Sequence, residues 1–575
     1  MMADVLNSAT RRIPLQFDKQ GNPYFESVKS PDSFKQRALC VKPPHNVIPV
    51  IFVPGIMGTN LKLQGKDGRD AWSPPNGTLE GIGAAGRGVK QTPSERQELF
   101  DPNNTEVNLD GPCKIPGDQY WVTAEEAKRR GWGALHADSY HSILQQLEVS
   151  LNDQYSKPGR SQEHGNFLLP EIGLLGHLNG VGPAASRTSG EPDYAAVAAA
   201  AVKAWNTTPP SLSEEEILRL DDYYYPVWAH GYNWLQSNED SAKSLVEKID
   251  QVIEHYQKTD YFDCEGKVIL VTHSMGGLVG RRAAQLAPDK VLGVVHGVQP
   301  VAGAPVVYRR FRAGTEVGGF FDIEGAAVAA IIGWNAADIT PTLACSPGPM
   351  ELLPTPHYPP GWLKVTKKGS EEVLINLPQA DPYEEIYSKT TDDCWWGMLD
   401  PALIDPANKL TSEDSTPLQV HRNALDLAKD FHNTLGLYAH PQTYGYYGID
   451  EKKYRTFGHI HWQTSGDIPN DDVLPLIYQQ DSQRSLTGKS TVPLYGEASS
   501  PEVKFKLGND RDQGGDGTVP LDSAKVLAQL QPPPKVVFRI AGFDHQMSYK
   551  NPYAIQATVY GIAKLVQLAA PATPL

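Results

Sequence analysis

The chain has 575 residues, 40% of them hydrophobic and 21% charged, with 67 acidic against 52 basic residues and a formal net charge of −15. This is the make-up of a soluble globular protein, long enough for two to four domains or one large fold with insertions. The acidic balance excludes wholesale nucleic-acid binding, because phosphates are repelled, and excludes a polybasic mode of membrane attachment.

Five scattered cysteines, Cys40, Cys113, Cys264, Cys345 and Cys394, form no CxxC and no Cys/His cluster. Mostly reduced thiols are expected, and a structural zinc site is not. The start, Met1 to Arg12, lacks the apolar stretch of a secretory signal, and no apolar run approaches the roughly 20 residues of a membrane span. The expectation is synthesis in the cytoplasm, with any export following a route that needs no N-terminal signal.

In chain order, residues 1 to about 45 are polar and turn-rich and read as an N-terminal arm. Val47 to Pro54 is an apolar, β-branched run of the kind a buried parallel strand shows, and it breaks at Gly55-Ile56-Met57-Gly58. Residues about 65 to 128 are rich in Gly, Pro, Asn and Asp and read as an irregular insertion. Ser139 to Leu151 has Ile143, Leu144, Leu147 and Leu151 at helical spacing. Residues about 155 to 215 read as a second insertion, with an Ala-rich piece from Tyr194 to Trp205. Tyr223 to His230 is a short strand. A helix follows, capped by Ser237 or Asn238, with Ala242, Leu245, Ile249, Val252 and Tyr256 on one face. Val268 to Thr272 and Val291 to Val298 are two further buried strands.

The alternation of strand and helix predicts a parallel sheet with crossover helices. From about 311 to 430 the pattern dissolves into Gly/Pro/Trp-rich segments. Regular structure returns with a helix over Leu418 to Leu435, strands at Thr443 to Gly448, Val503 to Leu507 and Lys535 to Ile540, and a last helix from Asn551 to Leu568. The division expected is an arm (1–45), a first core part (46–310), a cap or lid (311–430) and a second core part (431–575).

The chemistry centres on Val268-Ile-Leu-Val-Thr-His-Ser-Met-Gly-Gly277. A buried strand, a sharp turn and a helix deliver a serine to a sheet edge, with the positive helix N-terminus aimed where an oxyanion forms. This makes Ser274 the candidate nucleophile; the plain alternative is a helix N-cap serine. Thr272 stands where the usual Gly-x-Ser-x-Gly signature has its first glycine. A serine needs a base, and the base needs an orienting carboxylate. His545, in Gly542-Phe-Asp-His-Gln546, follows the last strand and precedes the last helix. Asp516, in Gly514-Gly-Asp-Gly517, sits in a loop after strand 503–507; Asp512 and Asp544 are the runners-up. The other histidines after Ser274, including His459 and His461, read as ordinary surface or core residues. The oxyanion hole is expected from the N–H groups of Met275 and Ile56, with Met57 second. No cofactor is expected to be required. Calcium is the alternative, because Asp510 to Gly517 clusters carboxylates, although the closing Glu of an EF-hand loop is missing.

Together Pro49 to Leu61, Thr272-His-Ser-Met-Gly276, Gly515-Asp-Gly-Thr-Val519 and His545 resemble the lecithin:cholesterol acyltransferase-like branch of the α/β-hydrolases, and are similar to the GPI inositol-deacylase-like lipases. The resemblance implies an α/β-hydrolase fold, with a mostly parallel central sheet, helices on both faces and large cap insertions. It implies lipid or phospholipid acyl esters as substrates, attacked through an acyl-enzyme by Ser274, Asp516 and His545. A large acidic member without a signal also resembles bacterial type VI secretion lipase effectors. That resemblance implies a membrane-lipid target, delivery to the periplasm of rival cells, and an immunity protein and a secretion apparatus as partners. Phe320-Phe321, Ala326 to Trp334 and Trp395-Trp396-Gly-Met398 then supply a lid and lipid-contact surface, or else pack a second small core. Competing readings are an esterase, thioesterase or acyltransferase on soluble esters, and a binding module without catalysis.

Overall fold

The continuous apolar runs become fully buried strands. The computed structural model describes residues 11–27, 38–65, 68–74, 91–113, 115, 121–152, 194–315, 333–367, 369, 372–412, 415–464, 479–481, 485–493 and 502–570. The central sheet is built from β1 (Val50–Val53), β2 (Val227–Ala229), β3 (Val268–His273), β4 (Val291–Gly297), β7 (Thr443–Gly448) and β11 (Val536–Ile540), in the order β2-β1-β3-β4-β7-β11. Every neighbouring pair in it is parallel. Strands covered on both faces have no solvent side to be polar on, so β1, β3 and β4 are buried at every position.

Helices cover both faces. The first, α1 (Ala137–Asn152), turns Ile143, Leu144, Leu147 and Leu151 inward. Burying each such side chain contributes roughly 1.5–3 kcal/mol. Its Glu148 carboxylate accepts from the Arg130 guanidinium at 2.9 Å and from the Val227 N–H at 2.7 Å, tying α1 to β2. Ser237 caps α2 (Asn238–Gln257) by accepting from the Glu239 N–H. α3 (Gly276–Leu286) follows β3, and the last helix, Pro552–Val566, packs across β4 and β7. This is the α/β-hydrolase arrangement. Among the described residues no helix is long and apolar enough to cross a membrane.

Among their described residues, the segments read as irregular insertions hold regular elements. Thr92 and Glu95 form a reciprocal capping box on the helix Pro93–Leu99. In the Ala-rich helix Tyr194–Trp205, Trp205 is buried against Phe538 of β11 with ring centroids 4.7 Å apart.

A second sheet lies beside the first. It holds β5 (Leu363–Thr366), β6 (Val373–Leu377), β8 (Ile460–Thr464), β9 (Lys489–Pro493) and β10 (Glu502–Leu507), in the order β6-β5-β8-β10-β9. The strand expected to continue the catalytic core, β10, therefore belongs here, hydrogen-bonded antiparallel to β8 and β9. Trp395 stacks on its Phe505 at 4.0 Å, and Trp395, Trp396 and Met398 are all buried. These three pack a second core rather than a lipid-facing lid. Phe320, Phe321 and the stretch from Ala326 to residue 332 lie outside the described residues. Trp334 at its end is 41% exposed.

Candidate active site

The strand β3 ends at His273, and the chain reverses at once into α3. Ser274 occupies the turn with φ +53°, a left-handed conformation that side chains other than glycine rarely adopt. Such strain costs on the order of 1–3 kcal/mol and persists only where the surroundings impose it. Here they do: the Ser274 N–H donates to the Gly297 carbonyl at 2.9 Å, and its carbonyl accepts from Gly277 at 2.8 Å. The N-cap position belongs to Met275, which has no side-chain cap. Ser274 thus does not serve as the helix cap its position allowed.

Thr272 in place of the usual glycine is accommodated from the other side. A Cβ on Gly280, one turn into α3, would sit 2.7 Å from the Thr272 Cγ2. The small residue has moved from the strand to the helix, while the Thr272 hydroxyl meets His296 Nδ1 at 2.8 Å. Alanine is the better helix former by about 1 kcal/mol, so glycine at 280 is a packing requirement. Gly280→Ala is expected to destabilise the protein by about 1–2 kcal/mol through overpacking. Thr272→Ser/Gly280→Ala, which removes the methyl and keeps the hydroxyl, is expected to regain most of that loss in urea unfolding.

Three elements far apart in sequence converge on Ser274. His545, in the loop after β11, places Nε2 2.8 Å from the Ser274 Oγ. Its Nδ1 lies 2.8 Å from Asp516 Oδ2. The other Asp516 oxygen accepts from the Thr518 and Val519 N–H groups at 3.1 and 2.8 Å. The acid loop packs closely on the end of β7: a Cβ on Gly448 would come within 2.6 Å of the Asp516 Cβ. All three side chains are buried. Burial pulls the His545 pKa down, but the Asp516 carboxylate favours the imidazolium more, and the net shift is upward.

The loop after β1 lies against the nucleophile. A Cβ on Gly55 would sit 2.8 Å from the Ser274 Cβ, so only glycine allows this approach. Met57 has φ +62°, and its carbonyl accepts from the Trp72 indole at 2.7 Å. Among the described residues, the N–H groups of Ile56 and Met275 donate to no other backbone carbonyl outside regular elements. Ile56 belongs to this loop and lines the cleft beside Ser274, and Met275 follows Ser274 directly in the chain.

A second network escapes sequence reasoning. His273 Nε2 lies 3.0 Å from the His545 carbonyl, and its Nδ1 lies 2.9 Å from the Tyr140 hydroxyl. Burial pushes the His273 pKa down to about 3, so the ring is neutral. A carbonyl only accepts, so Nε2 carries the proton and Nδ1 accepts from Tyr140. The Tyr140 oxygen in turn accepts from the Gly55 N–H at 3.1 Å. One hydrogen-bonded chain thus joins the loop after β1, the residue before Ser274 and the loop carrying His545. Tyr140→Phe breaks it at both ends and is expected to lower kcat about 10-fold with KM little changed, measured on a soluble acyl ester.

Ser274 and His545 open on a cleft. Its walls are apolar, with Ile56, Met57, Phe100, Trp234, Val306, Val307, Leu343, Leu352 and Val519. Its polar positions include Arg310, Thr315, Thr518, Asp544 and Gln546. Asp544 faces this cleft rather than joining His545, and burial raises its pKa. Asp512 is further away, hydrogen-bonded to His459 at 2.6 Å. All five cysteines are free.

The chain is similar to a solved structure described as "The crystal structure of Tle4-Tli4 complex", with 29% sequence identity and a TM-score of 0.70 over 91% of this chain and 99% of that one. No protein-family model matches the chain, and no curated protein does.

Proposed function

We propose that this protein is a serine lipase of the phospholipase type, a bacterial type VI secretion effector that hydrolyses acyl esters of membrane phospholipids. The observation that carries the reading is the Ser274–His545–Asp516 relay opening on an apolar cleft. In this reading Ser274 Oγ attacks the ester carbonyl as His545 Nε2 takes its proton, and Asp516 holds the imidazole and stabilises the imidazolium. The negative charge on the carbonyl oxygen falls between the N–H groups of Ile56 and Met275. His545 then gives the proton to the departing alcohol, leaving an acyl-enzyme. Water, activated by the same histidine, releases the fatty acid. The apolar walls exclude bulk water and receive an acyl chain, as a lipid ester requires.

Phospholipid rather than neutral lipid is supported by Arg310, the one cation among the described residues lining the cleft. It lies in the last turn of α4 (Val306–Ala313), close enough for its charge to act on His545. A guanidinium there suits a phosphodiester oxygen. Likeness to Tle4, solved with Tli4, supports a protein partner of the immunity kind.

The test compares phospholipid vesicles with a p-nitrophenyl ester of the same acyl length. Wild type is expected to release fatty acid from both. Arg310→Gln is expected to lower kcat/KM on phospholipid about 10- to 30-fold and to change the p-nitrophenyl ester less than about 3-fold. Wild type that cleaves only the soluble ester would remove the phospholipase reading.

A further inference from the structure

Outside the cleft, the runner-up acid has found a different use. Asp512 lies in the loop that leads from β10 to Asp516. Its Oδ1 accepts from the N–H groups of Gly458 and His459 at 2.8 and 3.2 Å. This pins the carboxylate and aims Oδ2 at two imidazoles. His459 Nδ1 is 2.6 Å from that oxygen, and His461 Nε2 is 3.7 Å from it. The histidines are two residues apart where β8 begins, so strand alternation turns both rings to one side. Their ring centroids are 5.8 Å apart. One ligand atom from each of the three residues lies within 4.8 Å of the other two.

A hydrogen bond accounts for His459 but not for His461, which stands 3.7 Å from the same oxygen, beyond hydrogen-bond distance. We propose that His459, His461 and Asp512 form a binding site for a divalent metal of the zinc class. Two imidazole nitrogens and one carboxylate oxygen are a zinc ligand set; calcium takes hard oxygen ligands and is disfavoured here. Zinc ligands at about 2.1 Å stand roughly 3.4 Å apart in a tetrahedron. The ion widens the His459–Asp512 pair and draws in the His461–Asp512 pair by about 1 Å or less, and closes the two imidazole nitrogens, within 4.8 Å of each other, by up to about 1.4 Å, movements open to side chains that are each about a quarter exposed. His459 binds the metal through Nδ1 as a neutral imidazole, with its proton on Nε2. Water fills the fourth position.

The site's position gives the ion a purpose. The acid loop is already stitched to the segment before β8: Gln513 and Thr456 exchange backbone hydrogen bonds at 2.8 and 3.1 Å, as do Gly515 and Asp450 at 2.8 and 3.0 Å. A metal bridging Asp512 to β8 closes the same seam with side chains, four residues before Asp516. The second sheet then becomes a brace for the catalytic carboxylate.

The experiment uses the full-length protein, stripped with chelator and dialysed, and does not depend on hydrolysis. Isothermal titration with zinc chloride is expected to give one equivalent bound with a micromolar or tighter Kd, and the thermal midpoint to rise by about 3 °C at saturation. Cobalt(II) in its place is expected to give a visible absorption band of low-symmetry coordination. His461→Gln and His459→Ala are each expected to weaken zinc binding at least 30-fold and to abolish the band, with midpoints in chelator close to wild type. Millimolar calcium is expected to have no effect. Failure of zinc to bind below millimolar, binding that survives in His459→Ala/His461→Gln, or a calcium-selective response would each overturn the proposal. None of these outcomes bears on whether Ser274 cleaves esters.

Discussion

Replacing Ser274 by alanine is expected to lower kcat on phospholipid vesicles by about 10⁴-fold or more, with no loss of folded stability. The magnitude follows from what is removed. Among the described residues His545 Nε2 has no hydroxyl partner other than Ser274, so the His545–Asp516 pair would be left with nothing to activate. Residual turnover would be the small contribution of the oxyanion loop and the apolar cleft. The stability expectation follows from the backbone. At φ +53° serine is strained, and alanine inherits the same strain. Ser274→Gly is expected to relieve it and raise stability by about 1 kcal/mol. An inactive Ser274→Gly that melts higher than wild type would separate loss of chemistry from loss of structure.

Asp516→Asn is the second large effect, an expected drop in kcat of about 10³- to 10⁴-fold. An amide can donate where the carboxylate only accepted, so it offers His545 the wrong tautomer, with Nδ1 unprotonated and the proton on the nitrogen that must accept from Ser274. The pH dependence gives an independent reading. In the proposed reaction His545 acts as a base only when neutral. Its pKa lies above the ordinary histidine value because the Asp516 charge outweighs burial. In wild type, kcat/KM is therefore expected to fall as pH drops through a midpoint above the ordinary value of about 6.5. In Asp516→Asn the stabilising charge is gone and burial remains, so the residual activity is expected to titrate at lower pH. A rising limb that stayed in place would mean that Asp516 does not face the base in solution.

How far the sequence could be read depended on how local each signal is. β1, β3 and β4 are unbroken apolar runs, and a strand buried on both faces has no other way to be written. The order of serine, acid and histidine along the chain was also legible, because each lies in a loop or turn beside a strand. What misled was β10. Glu502 to Leu507 alternates exposed and buried residues without a break, the mark of a sheet with one wet face. β1, β3 and β4 lack that alternation, but β11 at the edge of the central sheet shares it, so the pattern marks a strand with one wet face without naming the sheet it joins. Trp395 and Trp396 gave no local hint of their fate, because only β10 and α4, more than 80 residues away, decide whether an aromatic pair faces lipid or protein.

Tyr140 was legible as part of a helix and not as part of the site. Its partner His273 lies 133 residues on, and nothing in a helical heptad marks a hydroxyl that will reach a loop after another strand. The same holds for His459 and His461, ordinary until Asp512 is folded against them. Thr272 is the instructive departure. Read alone it weakens the elbow signature, yet Gly280, eight residues later in the same strand–turn–helix unit, supplies the missing space.

The most direct test of Ser274 as nucleophile is covalent. The protein is incubated with a long-chain alkylphosphonate p-nitrophenyl ester, whose phosphorus takes the geometry of the attacked carbonyl, and the modified residue is located by mass spectrometry. One equivalent bound to Ser274, with loss of phospholipid hydrolysis in step and no labelling of Ser274→Ala, is the predicted result. An adduct on another residue that abolishes hydrolysis, or vesicle hydrolysis that persists in Ser274→Ala, would contradict the account.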